Sequence, residues 1–169
     1  VETADGSAWV SLVPFFLRVG LPRVRPIPWV SRFAEINVRT YVRASDGSTG
    51  IWFFSLDAAR LGAVITARTT YRLPYFWSNM SITHDAANVF YSCERRWPGP
   101  RAPYEPSELT SFDHFLTARW RLYSAPRSGL RRAQAFHEPW PLRRARVLEL
   151  DDQLITAAGL PAPVEDPIV

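Results

Sequence analysis

Lysine is absent from this chain of 169 residues: all 20 of its basic side chains are arginine. That absence removes every side-chain primary amine, and with it imine chemistry, which needs an amine of lowered pKa. A single cysteine, Cys93, excludes an internal disulfide and gives no sign of an oxidising compartment, so the cytoplasm is the expected location. Histidine is scarce as well. His84, His114 and His137 stand far apart in no metal-ligand spacing, and no metal is expected. The chain has no glycine-rich phosphate loop and no Ser-His-Asp or Cys-His signature, so no cofactor is expected either. No apolar run is long enough for a membrane span. The best, from Ala8 to Leu17, is broken by Pro14 and followed by Arg18, and no signal-peptide pattern precedes it.

What the chain does have is apolar and aromatic mass. A hydrophobic share of 47% with 14% aromatic residues argues against disorder, and the length suits one domain with a real core. The net charge of +4 raises the question of nucleic acid. The arginines are spread along the chain, however, with one denser group at Arg131, Arg132, Arg143, Arg144 and Arg146, and this spread argues against nucleic acid as the partner.

Ala8 to Leu17 reads as a buried strand carrying Trp9, Phe15 and Phe16, with Pro14 at an edge or bulge. Phe33 to Arg43 alternates: Ile36, Val38, Thr40 and Val42 share one face, Glu35, Asn37, Arg39 and Tyr41 the other. Asp46-Gly47-Ser48 supplies a turn into a second strand, Ile51 to Leu56, making a hairpin. The polar face of the first strand is either solvated or the lining of a polar cavity in a small barrel. Asp57 suits the N-cap of a short helix, Ala58 to Ile65. Arg68 to Phe76 reads as a strand and turn that either points donors at an anion or forms an amphipathic rim.

Met80 to Ile82 and Asn88 to Arg95 form a strand pair about His84-Asp85. Trp97 to Pro106 is a proline-rich loop, and Ser107 caps a helix through Phe115. Arg119 to Tyr123 and Gly129 to Ala135 read as a hairpin, Val147 to Leu150 as a last strand, and Asp152 to Ala158 as a short helix closed by Gly159. Short strands with few helices predict a mainly β fold, a barrel or sandwich with helical decorations.

Several stretches together carry a family signature: Ala8-Trp9-Val10-Ser11-Leu12-Val13-Pro14-Phe15, Glu35-Ile36-Asn37-Val38-Arg39-Thr40-Tyr41-Val42, Trp52-Phe53-Phe54-Ser55-Leu56-Asp57-Ala58 and Phe115-Leu116-Thr117-Ala118-Arg119-Trp120-Arg121-Leu122-Tyr123, with Leu73-Pro74-Tyr75 and His137-Glu138-Pro139-Trp140-Pro141-Leu142. In these the chain resembles the YqjF-like bacterial proteins of unknown function, a family similar to the acetoacetate decarboxylase-like superfamily. The resemblance implies an antiparallel β-barrel or cone around an internal pocket, formed by residues 1–169 as a single domain. It also implies that the family's N-terminal segment and extreme C-terminus are missing here, since the chain opens on Val1.

In acetoacetate decarboxylases a Gly-Arg-Glu is followed by Pro-Lys, six and seven residues after the arginine. Here Arg68 has Pro74 and Tyr75 at those distances, so the spacing is kept and the Schiff-base lysine is lost. The resemblance places Glu35 on an acidic pocket position. The expected ligand is a small carboxylate or keto/enol compound, handled without a Schiff base. Arg39 and Arg68 are the candidate anion donors, against a structural reading as ion pairs with Glu35 or Asp57. Asn37 and Tyr71 join them as candidate ligand contacts. Glu35, Tyr75 and His137 are the candidates for proton transfer, His137 because an imidazole titrates near neutrality. A non-catalytic binding or interaction module on the same frame is the alternative.

Overall fold

The computed structural model describes residues 1–18, 31–96, 111–125, 129–134 and 145–168. The proline-rich loop Trp97 to Pro106, Ser107, His137 and Glu138 lie outside them. A small hairpin of β1 (Thr3–Ala4) and β2 (Ser7–Ala8) leads into β3 (Val10–Arg18), and β4 (Arg32–Arg43) returns antiparallel to β3. β5 (Thr49–Ala58) completes the predicted hairpin, with the side chain of Asp46 accepting from the Ser48 backbone N–H at 2.9 Å in the turn. Helix α1 (Leu61–Thr66) continues as a π-helical turn, Ala67–Tyr71, and β6 (Tyr75–His84) pairs antiparallel with β7 (Val89–Arg95). Helix α2 (Ser111–Thr117), β8 (Arg121–Ser124), β9 (Arg131–Gln134) and helix α3 (Leu154–Ala157) follow.

Among the described residues, seven strands join in one sheet, in the order β3-β4-β5-β6-β7, with β8 on β5 and β9 on β8. The fold is mainly β, as expected, but the sheet is mixed where an antiparallel barrel was predicted, and the described strands trace no closed barrel. The cause lies at β5. Its second edge is shared by two strands, β6 beside Leu56–Ala58 and β8 beside Ile51–Trp52, and both run parallel to it. The chain reaches β6 through α1, and a helical crossover returns a strand in the same direction.

β4 is the centre of the molecule because both of its faces are buried, from Phe33 to Tyr41. Ile36 and Val38 pack on Tyr91, Cys93 and Leu154 on one side. On the other, Phe33 joins Ile51, Phe53, Leu56 and Leu73 in a second core. The polar residues Glu35, Asn37 and Arg39 share the second face and are therefore enclosed, not solvated. The register slips between Val38 and Arg39, so that Phe53 stands opposite Arg39 and Phe54 is left over. Such a bulge bends the strand and re-aims the side chains beside it. Pro14 sits in β3, which among the described residues pairs with β4 alone, and an edge strand is where a sheet tolerates proline. Phe16, expected inside, is 47% exposed and instead lies under the guanidinium of Arg32, 4.6 Å from the ring centroid.

Three local expectations are corrected. Asp57 is no helix cap but the last-but-one residue of β5, and it is buried: its carboxylate accepts from Arg95 at 2.5 and 2.7 Å and from the Ser78 hydroxyl at 2.5 Å. Helix α1 starts after Arg60 with no side-chain cap. The Arg68 region is a π-helical turn, not a strand, and it ends at Arg72, whose φ of 55° lies in the left-handed region that closes helices. Val147 to Leu150 forms no strand, and Leu148 is 68% exposed. The last helix is shorter than expected, Leu154–Ala157; Asp152 lies before it and accepts from the Leu154 N–H at 2.9 Å, and the expected Gly159 follows it with a φ of 81°.

Candidate functional site

The polar face of β4 opens on a cavity of about 200 Å³. Glu35, Asn37 and Arg39 form one wall; Tyr75, at the start of β6, Thr117, at the end of α2, and Arg119, after it, complete the polar lining. The remainder is largely apolar, with Phe15, Phe53 and Leu122 among the contributors. A hydrogen bond of 2.8 Å runs from the Tyr75 hydroxyl to Glu35 Oε2.

Glu35 is 2% exposed. Burial pushes its carboxyl up from the ordinary 4.5 to about 7; hydrogen bonds from Tyr75 and Asn37 pull it part of the way back, and the charge of Asp57 adds to the rise. The Tyr75 phenol is held well above its usual value, first by burial and then by the Glu35 charge, so it stays a neutral donor. Asn37 Oδ1 is buried with no hydrogen-bond partner among the described residues. A buried acceptor left unsatisfied costs about 1–3 kcal/mol.

The cations lie farther along the same face. Arg39 Nη2 donates to the Leu116 carbonyl at 2.6 Å, and its guanidinium stands 5.7 Å from the Tyr41 ring. Arg119 donates from Nε to the Phe115 carbonyl and from Nη1 to Glu2 Oε2, both at 2.6 Å, and lies 5.3 Å from the same Tyr41 ring. Two positive groups that line the cavity thus stand near one aromatic ring, with the carboxyl and the phenol on the same cavity's wall.

The structure therefore brings together Glu35, Asn37, Arg39 and Tyr75. It does not bring Arg68 or Tyr71 to them. Arg68 Nη1 donates to the backbone carbonyl of Tyr75 at 2.5 Å, fastening the π-helical turn to β6 and fixing where the phenol starts. Tyr71 is half exposed, and its carbonyl accepts from Ser124. The structural alternative for the arginines, an ion pair with Asp57, is taken by Arg95 instead. His137 lies outside the described residues. Arg119 is the lining residue that the pattern did not single out. It read as one arginine of a predicted strand, Arg119 to Tyr123, and nothing in the local pattern set it apart.

A mainly β protein with a polar-lined cavity set over its central strand is the class these observations define. The whole chain, residues 1–169, matches the model of DUF2071, a family of uncharacterized conserved proteins, and the chain belongs to that family. It is similar to the uncharacterized protein YqjF of Bacillus subtilis (strain 168), with 36% identity over 179 residues that take in all of this chain and 74% of the Bacillus protein. No solved structure matches it. Among the described residues no helix is long and apolar enough to cross a membrane.

Proposed function

We propose that residues 1–169 form one domain of the acetoacetate decarboxylase-like type, a small-molecule-binding barrel or cone for a small carboxylate or keto/enol compound, acting in the cytoplasm without a lysine Schiff base. The observation that carries this reading is Glu35: a fully enclosed carboxyl at about 7, hydrogen-bonded to a phenol on the wall of a cavity. A carboxyl poised near neutrality is matched to proton transfer, and such groups concentrate at functional sites. An apolar cavity of roughly 150 Å³ takes up benzene, so one of about 200 Å³ suits an acid with a short chain or a single ring.

In this reading the ionised Glu35 accepts a proton from the carbon next to the ligand's carbonyl. The electron pair of that C–H bond becomes the new C=C bond, the carbonyl π pair moves to the oxygen, and the enolate so formed lies in the field of Arg39. Asn37 Oδ1 receives a ligand hydroxyl or N–H. Arg68 acts at a distance, by holding the backbone of Tyr75.

A panel of 2-oxo, 3-oxo and aromatic acids tests this by thermal denaturation. An acid at about a hundred times its Kd stabilises by about 2.7 kcal/mol, some 5 to 10 °C for a chain of this size. Glu35→Gln keeps the shift and slows exchange of the ligand's acidic C–H for deuterium by about 10²- to 10⁴-fold. No shift with any acid overturns the reading. A shift without exchange in either protein favours the second reading, a non-catalytic binding module, which draws its support from Arg39 and Arg119 already donating to backbone carbonyls.

A further inference from the structure

The carboxylate of Glu2 lies between two arginines of different character. Its Oε2 accepts from Arg119 Nη1 at 2.6 Å, and its Oε1 accepts from Arg43 Nη2 at 2.7 Å. The Arg119 side chain is 7% exposed and lines the cavity; the Arg43 side chain is 56% exposed. Glu2 itself is tethered by its backbone, whose N–H donates to the Tyr41 carbonyl at 2.8 Å. One carboxylate therefore joins the charge on the cavity wall to a charge in solvent.

The attachments of the two arginines differ in the same direction. Arg119 is fixed apart from Glu2: its Nε is held by the Phe115 carbonyl, and its guanidinium packs 4.5 Å from the Phe115 ring centroid. Arg43 has a weak second contact, 3.3 Å to the Gly47 carbonyl, and is otherwise free to follow a moving carboxylate. Loss of Glu2 would leave Arg119 in place with a cationic edge on the cavity and no counter-ion. A buried guanidinium does not stay without one, because an uncompensated charge away from water is strongly unfavourable.

We propose that Glu2 is an exchangeable internal ligand of Arg119: a small monocarboxylate in the cavity takes its place on the guanidinium, while Glu2 turns to Arg43 alone. This deepens the pocket reading above and rests on it. It assigns the anion-binding role to Arg119, and it makes the preferred ligand a singly charged acid. The net charge around Arg119 is unchanged by a one-for-one exchange of carboxylates, whereas a neutral amide offers an acceptor oxygen but no charge to replace that of Glu2.

The test is calorimetric titration of the full chain with benzoate, 2-oxobutyrate and acetoacetate, with benzamide as the uncharged control. Glu2→Gln removes the competitor and binds the acids about tenfold tighter, the scale of one charge-assisted hydrogen bond withdrawn from a rival. Arg43→Met leaves Glu2 to Arg119 alone and weakens the acids severalfold. Arg119→Gln weakens them by about tenfold or more. Should Arg119→Gln fail to fold by circular dichroism, the opposite signs of the two surface substitutions still decide the matter. Binding by the wild type that Glu2→Gln leaves equal or weaker, or benzamide binding as well as benzoate, overturns the exchange and leaves the pocket reading standing. Absence of binding by every protein to every acid overturns both.

Discussion

Replacing Glu35 with glutamine should flatten the dependence of stability on pH. The carboxyl rises from 4.5 unfolded to about 7 folded, so the folded chain holds a proton across that window which the unfolded chain has released. Stability therefore falls as pH rises from about 4.5 to about 7, and the loss is complete above it. The difference corresponds to about 3 kcal/mol. Glu35 is 2% exposed, so solvent screening takes little from that figure. Glutamine keeps an oxygen for the Tyr75 hydroxyl and carries no charge to desolvate. Urea denaturation at pH 5 and pH 8 reads the effect directly: wild type and Glu35→Gln stand within about 1 kcal/mol at pH 5, and the variant is more stable by about 3 kcal/mol at pH 8, roughly 6 to 12 °C in Tm. Parallel curves for the two proteins would refute the reasoning, because they would mean that Glu35 reaches water in the folded state.

Three further outcomes follow from the packing. Asp57→Asn strands the buried Arg95 guanidinium and costs about 3–5 kcal/mol, while Asp57→Leu with Arg95→Met recovers most of it, as a double-mutant cycle in urea would show. Gly50→Ala drives a methyl group into the Tyr123 ring and to 2.9 Å from the Arg121 carbonyl oxygen, and lowers stability by about 1–3 kcal/mol; an unchanged Tm would mean that β8 does not lie against β5. Burial pushes the Cys93 thiol up to about 12, so it resists iodoacetamide in the folded chain and reacts once urea unfolds it; fast labelling of the native protein at neutral pH would contradict the closed core it shares with Ile36, Val38, Tyr91 and Leu154.

Much of the strand plan was legible because it is written locally. Alternation in residues 33–43, a turn at Asp46-Gly47-Ser48 and the flanking apolar run suffice to specify β4 and β5, since period-two patterning and turn chemistry need no distant partner. The same holds for β6 with β7 and for β8 with β9. The proposed cavity was half legible. The sequence by itself put Glu35, Asn37 and Arg39 on one face, and its lack of lysine removed imine chemistry.

Whether that face met water was decided by tertiary structure alone, because burial depends on what the rest of the chain lays over a strand. Asp57 had every local mark of a helix cap, yet it is a strand residue, since Arg95, 38 positions away, supplies the charge that lets it be buried. Arg119 shows the same limit more sharply: its counter-ion, Glu2, lies 117 positions distant. Side-chain alternation is a property of neighbours in sequence. Desolvation, and the pairing that makes it tolerable, are properties of neighbours in space.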